Sequence, residues 1–413
     1  MLTDLFIKSQ KFVELNAREY KRYFLLKHSF EHRLSIVTGA RGIGKTTMIA
    51  QYMHENYGEG EALYVSMDDV QNISRFTMVN IAESFALNNG KLLCFDEIHK
   101  YPDWSGELKT IYDTYPGLKI IATGSSALHI HRGSHDLSRR AIVYTMFGMS
   151  FREFLELHYG FELASYPFET IVKDHVSLAR SILSELEAKD HKVMPLFKQY
   201  LRYGYYPYYL SMPNDILFFQ TLKQNINVTL EGDLLSIYPQ LNGNSIRKIK
   251  QLFAVILKSV PVEVKMATLK RATDISDDRT LKEYLARLDD AGLILLLMRY
   301  GMKMKSLDKP QKIYLANPNL MYTGEPEIGN VRETFFVNQV HNYCQEKSNF
   351  LSEGIFADDR GDFRIGEKYI VEVGGKNKSF EQIKDLPDSL IAADEIEVGF
   401  GRKIPLWLFG FLY

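Results

Sequence analysis

The eight residues Gly39-Ala40-Arg41-Gly42-Ile43-Gly44-Lys45-Thr46 constrain this chain more than any other stretch. They follow a short apolar run, Leu34–Thr38, and open a helical run that continues through Thr47. Glycine at three of the eight positions permits a tight turn in which consecutive backbone N–H groups point inward, and the helix N-terminus adds its dipole. Strand, loop and helix in that order, with the spacing GxxxxGK[ST], describe a phosphate-binding loop in an α/β fold. The loop from Gly39 to Thr47 is therefore expected to hold ATP. Lys45 would reach the β- and γ-phosphates, and the Thr46 hydroxyl would ligate Mg²⁺.

Further apolar runs at Ala62–Met67, Leu92–Phe95, Ile120–Ala122 and Ala141–Tyr144 alternate with helical stretches, the rhythm of a parallel sheet covered on both faces. A helical pattern of mixed charge fills residues 10–30. After Met149 the rhythm changes to a helical, aromatic segment, then to a helix-helix-helix-hairpin unit at 244–312, then to a mixed unit from about 325 to the end. In that last unit the pattern predicts a helix at Val331–Glu346 and strands near Phe350–Phe356, Asp362–Ile365 and Lys368–Val373. A helix at Phe380–Leu390 and strands at Glu395–Val398 and Pro405–Phe409 would follow. A chain of 413 residues has room for two to four such domains. The formal net charge of −1 excludes a wholly polybasic coat, so any basic surface must be local. With no apolar run of eighteen residues, no membrane contact is expected. The charged amphipathic start and two isolated cysteines, Cys94 and Cys344, fit a reducing cytoplasm and exclude a disulfide framework.

The apolar run Leu92-Leu93-Cys94-Phe95 ends in Asp96-Glu97. A strand ending there brings Asp96 to the carboxyl edge of the sheet, where open α/β sheets hold ligands. Asp96 would hold the Mg²⁺ shell, and Glu97 would act as general base on the attacking water, unless it is only a strand-end surface acid. A third run ends in Thr123-Gly124-Ser125-Ser126. A hydroxyl here could orient water against the γ-phosphate, with Ser125 the first choice and Thr123 the second.

Gly39–Thr47, Phe95-Asp96-Glu97-Ile98-His99-Lys100-Tyr101-Pro102-Asp103-Trp104 and Ala122–Ser126 together resemble the bacterial and archaeal AAA-type ATPases. The narrower resemblance is to those with the C-terminal region called DUF4143. That family follows with Ser-Leu-x-Gly-Arg and Leu-Ser-Phe-x-Glu-Phe. This chain has Asp136-Leu137-Ser138-Arg139-Arg140 and Met149-Ser150-Phe151-Arg152-Glu153-Phe154, so the family's Gly is Arg139 while Arg140 keeps the Arg position. The resemblance implies that Arg140 is a finger or sensor on the γ-phosphate, in cis or from a neighbouring copy, and it leaves a homo-oligomer open. It also implies a helical lid that includes Lys198–Leu210. The expected division is 1–149 for a P-loop AAA-type ATPase core, 150–243 for the lid, 244–324 for a winged helix and 325–413 for a PD-(D/E)xK nuclease-like domain.

Residues 245–312 hold 15 Lys and Arg against 8 Asp and Glu, an excess of seven positive charges in a near-neutral chain. Phosphate neutralisation supplies most nucleic-acid affinity, so DNA is a candidate partner of the winged helix. Arg279, Lys282 and Arg287 could face a groove, and Lys303, Lys305 and Lys309 could form a basic wing. Contact with unidentified proteins is the alternative. The Tyr200–Tyr209 stretch is expected to pack between helices rather than stack on bases. His129, His131 and His135 lack partners at metal-ligand spacing.

In the last unit Glu333, Asp362 and Glu372 have the pattern of a Mg²⁺-dependent nuclease. That pattern demands a Lys two residues after the second acid, and Gly374 stands there. Lys376 would have to reach back into the site, which points to lost or impaired cleavage. Three functions compete: an ATP-driven switch acting on DNA, an ATP-dependent nuclease in defence or DNA processing, and a nucleotide-switched scaffold without DNA.

Overall fold

The computed structural model describes residues 2–69, 76–124, 137–263, 266–301, 312–347 and 354–413. By contact they fall into two units, Met1–Phe147 with Asn227–Leu241, and Gly148–Ile226 with Asn242–Tyr413. Asn227–Leu241, expected within the lid, thus belongs to the first unit.

The first unit is built on five parallel strands: β1 (Leu34–Thr38), β2 (Ala62–Ser66), β3 (Leu92–Asp96), β4 (Lys119–Gly124) and β5 (Ile142–Thr145). Their order is β2-β3-β4-β1-β5. Every residue of β1 and β3 is buried, the mark of strands covered on both faces. Ile36, Leu93, Phe95 and Ile120 pack with Ile81, Phe85, Leu108 and Ile111 of the crossover helices Met78–Leu87 and Trp104–Thr114. Because β4 lies between β1 and β3 and all three run the same way, the Gly39–Thr46 loop and Asp96 emerge at one edge. β1 has β4 on one side and β5 on the other, so its loop opens where the strand order reverses.

The helical pattern over residues 10–30 resolves into two pieces, Leu2–Asn16 and Tyr23–Lys27. Tertiary hydrogen bonds interrupt it. The Gln51 amide donates to the carbonyls of Arg18 and Tyr20, both at 2.7 Å, and Arg22 is extended, with φ −64° and ψ 147°.

In the second unit, Phe151–Tyr159 starts with a reciprocal capping box between Ser150 and Glu153, followed by helices Phe168–Glu187 and Val193–Tyr203. The tyrosine stretch packs internally: Tyr203 and Tyr209 stack with centroids 4.6 Å apart, and the buried Tyr200 hydroxyl donates to the Met149 carbonyl at 2.7 Å. Helix Gly243–Ser259, β6 (Val262–Glu263), helices Met266–Thr273 and Asp278–Asp290, and the pair β7 (Ile294–Leu297) and β8 (Lys312–Leu315) follow. These three strands form an antiparallel sheet in the order β6-β8-β7. Helix Ile328–Lys347 then leads to β9 (Ile355–Ala357), β10 (Phe363–Ile365), β11 (Tyr369–Gly374), β12 (Ser389–Ala393) and β13 (Lys403–Pro405). β9, β10 and β11 pair antiparallel, and β11, β12 and β13 pair parallel.

The helix expected at Phe380–Leu390 is a series of turns. Ser389 Oγ donates to the carbonyls of Ile383 and Leu386 at 2.8 Å, and Pro387 removes the N–H that a helix would need. The neighbouring strand accordingly runs over Ser389–Ala393, not Glu395–Val398, and the strand expected at Pro405–Phe409 ends at Pro405 before a 3-10 turn.

Phe95 is fully buried on β3, an interior strand of the parallel sheet. Phe95→Ala is expected to destabilise the first unit by about 3–5 kcal/mol, read as a lower urea midpoint for its transition. A loss under about 1 kcal/mol would mean that this core can collapse around the cavity.

Candidate functional site

Three glycines shape the loop after β1. Gly44 caps helix Lys45–Asn56 with φ 103°, a left-handed value that side chains resist. At Gly39 a Cβ would meet the Met146 carbonyl oxygen at 2.3 Å, so backbone approaches backbone there. Arg22 braces the loop from behind, donating to the Ile43 carbonyl at 2.7 Å and the Phe147 carbonyl at 2.9 Å. Lys45 is only 5% exposed and bends over the loop, donating to the carbonyls of Gly39 at 2.8 Å and Ala40 at 2.9 Å. Burial depresses the Lys45 pKa, against the opposing pull of Glu97 and Asp96.

Asp96 closes the other side. Its carboxylate accepts from the hydroxyls of Thr46 and Tyr64, each at 2.9 Å, and from Thr123. Burial, then the Asp96 charge, pushes the Tyr64 pKa far up, so this phenol stays a donor. Glu97 follows in the left-handed region, with φ 56° and ψ 42°, and turns the chain sharply into the short 3-10 turn Ile98–Lys100. A non-glycine residue held there is the kind of local strain that gathers at functional sites.

The acid edge continues into the first unit's distant segment. Asp233, at the end of the π-helical turn Thr229–Asp233, is 2% exposed. Its Oδ1 lies 3.2 Å from Arg41 Nη2, 3.4 Å from His99 Nε2 and 3.0 Å from Lys100 Nζ. Burial would raise the Asp233 pKa, but His99, Arg41 and Lys100 outweigh it and hold the carboxyl well below its ordinary range.

The donor set fits Mg²⁺ with a nucleotide. The Thr46 hydroxyl and an Asp96 carboxylate oxygen, 2.9 Å apart, are hard oxygen ligands of the kind Mg²⁺ takes. Two buried polar atoms beside the loop, Arg41 Nε and Glu97 Oε2, have no hydrogen-bond partner in the protein. Among the described residues no group of three or more His, Cys, Asp or Glu side chains could hold a metal alone. Bound at Thr46 and Asp96, Mg²⁺ would neutralise phosphate charge.

Several expectations change. Ser125, with His129, His131, His135, Lys303, Lys305 and Lys309, lies outside the described residues. Thr123, the second choice, is buried and serves Asp96. Arg140 does not approach its own loop: it pairs with Asp113 at 2.8 Å, just before β5 and beside the end of helix Trp104–Thr114, at the amino edge of the strands. Arg287 is 4% exposed and pairs with Glu283, so it cannot face a groove, whereas Arg279 is exposed. Tyr64, Arg22 and Asp233 were missed. Only Tyr64 had a signal: Ser66, two residues on and on the same strand face, pairs in register with Asp96.

The C-terminal acids also need correction. Glu333 accepts from the Tyr314 hydroxyl at 2.8 Å, and Asp362 accepts from the Val373 N–H at 2.8 Å. Glu372, 1% exposed, pairs with Lys378 at 2.5 Å. Lys378, not Lys376, is thus the lysine at this site, while the Lys376 carbonyl accepts from Lys403. The three acids do not form a metal-holding group. Burial, with Asp362 adding to it, raises the Glu372 pKa, and Lys378 opposes this. Lys378→Ala is expected to cost about 2–3 kcal/mol in thermal unfolding, less than a fully buried pair because the lysine is a third exposed. Lys376→Ala should stay within about 0.5 kcal/mol, and equal losses would return Lys376 to the site.

Comparison with known proteins places these units. Residues 31–155 match a family model described as an AAA domain, and residues 194–324 match a domain of unknown function, DUF8612. The second match takes the place of the expected DUF4143 assignment. An uncharacterized protein of Methanocaldococcus jannaschii is 27% identical over 402 residues, covering 90% of this chain and 81% of its own length. The Walker-type ATPase of Pyrococcus abyssi aligns at 13% identity and TM-score 0.39, over 72% of this chain and 93% of that one. AMPPCP-bound DnaA of Aquifex aeolicus aligns at 15% and 0.26, over 65% and 86%. Likenesses as loose as these two add nothing to the reading of the site. Residues 31–155, which carry the glycine loop, the Asp96-Glu97 edge and all five parallel strands, form an AAA domain of the P-loop ATPase type.

Proposed function

We propose that this chain binds Mg²⁺-ATP in the Gly39–Thr47 loop and hydrolyses it, with Glu97 as the general base. The Thr46–Asp96 hydrogen bond carries the reading, because it joins the phosphate loop to the acid edge in one 2.9 Å contact. Lys45 would turn from the carbonyls of Gly39 and Ala40 to the β- and γ-phosphates. Glu97, whose buried Oε2 makes no hydrogen bond although His99 Nδ1 lies 3.3 Å away, is positioned to take a proton from water. Arg140, at the amino edge of its own sheet, would serve the site of a neighbouring copy.

The nucleotide state is proposed to govern residues 244–324 as a winged helix on DNA. The order helix, strand, helix, helix, hairpin and the local excess of seven positive charges support this. Ion pairs within the unit, Lys270 with Asp278 and Arg287 with Glu283, reduce the charge left to face phosphate. Nuclease activity is not part of this reading, since Glu372 is already neutralised by Lys378.

Lys45→Ala should abolish ATP binding in titration calorimetry while the circular dichroism spectrum stays that of the wild type. Glu97→Gln should bind ATP with wild-type affinity and turn it over about 10²–10⁴-fold more slowly. Unchanged turnover in that variant would remove Glu97 from its role. Duplex DNA binding, followed by anisotropy, should weaken steeply between 50 and 200 mM salt. No binding even at the lower salt would remove DNA and leave the nucleotide-switched scaffold.

A further inference from the structure

The base in this reading does not stand alone. Glu97 Oε2 lies 3.3 Å from His99 Nδ1, and the other ring nitrogen of the fully buried His99 side chain lies 3.4 Å from Asp233 Oδ1. A carboxylate, an imidazole and a second carboxylate therefore stand in a row, starting at the residue that faces the phosphate loop. The same Asp233 oxygen holds Lys100, the residue after His99, and Arg41, from inside the loop. Loop and base turn are consequently fixed to one buried carboxylate, 134 residues beyond His99 in sequence. It sits on a π-helical turn, a distortion that costs helix stability and recurs at functional sites.

We propose that Asp233 and His99 are positioning residues for ATP hydrolysis: Asp233 holds the His99 ring, and the ring holds the Glu97 carboxylate where it meets the attacking water. The inference rests on the assignment of Glu97 as base. In the step it serves, the water oxygen forms a bond to the γ-phosphorus and the bond from that phosphorus to the β,γ-bridging oxygen breaks. The electron pair of the broken bond leaves with the diphosphate, and the water proton passes to Glu97. His99 touches neither phosphate nor water. Its contribution is orientation, and so is that of Asp233. A carboxylate at the end of a strained left-handed residue can swing, and a ring held from behind limits that swing. Arg41 in the same cluster makes the arrangement sensitive to the loop, because phosphate in the loop would compete with Asp233 for its guanidinium.

Single-turnover hydrolysis of radiolabelled ATP, with the full chain in excess over nucleotide, reads the step directly, and calorimetry reads ATP affinity separately. Asp233→Asn and His99→Ala are each expected to slow hydrolysis about 10- to 100-fold, with affinity within about threefold of wild type. The double variant should be no slower than the slower single variant, because the two residues act in series. If Asp233→Asn fails to fold without the charge that pairs Arg41 and Lys100, His99→Gln keeps close to the ring volume, leaves Asp233 paired with Arg41 and Lys100, and should show the same selective loss of rate. Wild-type rates in Asp233→Asn or in the His99 variants, alongside an inactive Glu97→Gln, overturn the proposal and leave the base in place. Equal losses of rate, affinity and unfolding midpoint overturn it in favour of a purely structural cluster. Wild-type hydrolysis in Glu97→Gln, or ATP binding without hydrolysis in the wild type, overturns the base assignment itself and the proposal with it.

Discussion

The Asp96 carboxylate is the joint on which the site depends. Inserting β4 between β1 and β3 leaves the phosphate loop and the acid edge two strand spacings apart, roughly 9–10 Å. Thr46 reaches across from the first turn of the helix after β1, Tyr64 from β2 and Thr123 from the end of β4, and all three donate to Asp96. Three hydroxyls donate to a carboxyl group that is only 2% exposed, and together they fix the direction in which it faces. Such fixed donors and acceptors are what allow a site to bind a charged group without reorganising around it.

Charge balance around that joint is unusual for so dry a region. Lys45 is buried and held by two carbonyls, while Arg41 and Lys100 are tied to Asp233. Burial disfavours the charges of Lys45 and Arg41, and an opposite charge or a strong dipole lies within hydrogen-bond reach of each. For Arg41 the opposition is decisive: burial works against the guanidinium, yet Asp233 and Glu97 leave its pKa raised. Each of these cations has partners within the protein. A phosphate must therefore exchange for existing partners rather than simply add to them, which makes occupancy of the loop felt at Asp233.

What could be read from the sequence is what local chemistry decides. The loop, the five strands and the Asp96-Glu97 edge announce themselves through glycine spacing, apolar runs and a strand-end acid pair, each within ten residues. Asp233 was invisible because its meaning lies in three partners far away along the chain. Arg287 sat at a plausible groove-facing position, yet its pairing with Glu283 and its burial beside Leu288 needed the fold. The helix expected at Phe380–Leu390 failed for a different reason. Ser389 uses its hydroxyl to close the turns that Pro387 makes unavoidable, a local competition that periodicity does not register. Lys376 and Lys378 lie two residues apart, and only the path after Gly374 separates their roles.

That path explains the C-terminal cluster in electrostatic terms. Beyond Gly374 the chain turns back, with the Lys378 N–H donating to the Gly375 carbonyl at 3.0 Å, and the Lys378 side chain lies along Gly374, where a Cβ would meet its own Cβ at 2.9 Å. Glycine at that position is thus a packing requirement, and it allows the ammonium group to reach Glu372 at 2.5 Å. Asp362 is close enough to raise the cost of ionising Glu372, and in a nuclease a divalent ion would offset that cost. Here a cation built into the chain does so, with a backbone N–H on Asp362 and a phenol on Glu333 completing the set. The charge of Glu372 is thus compensated internally, by a lysine four residues beyond the position that the nuclease pattern demands.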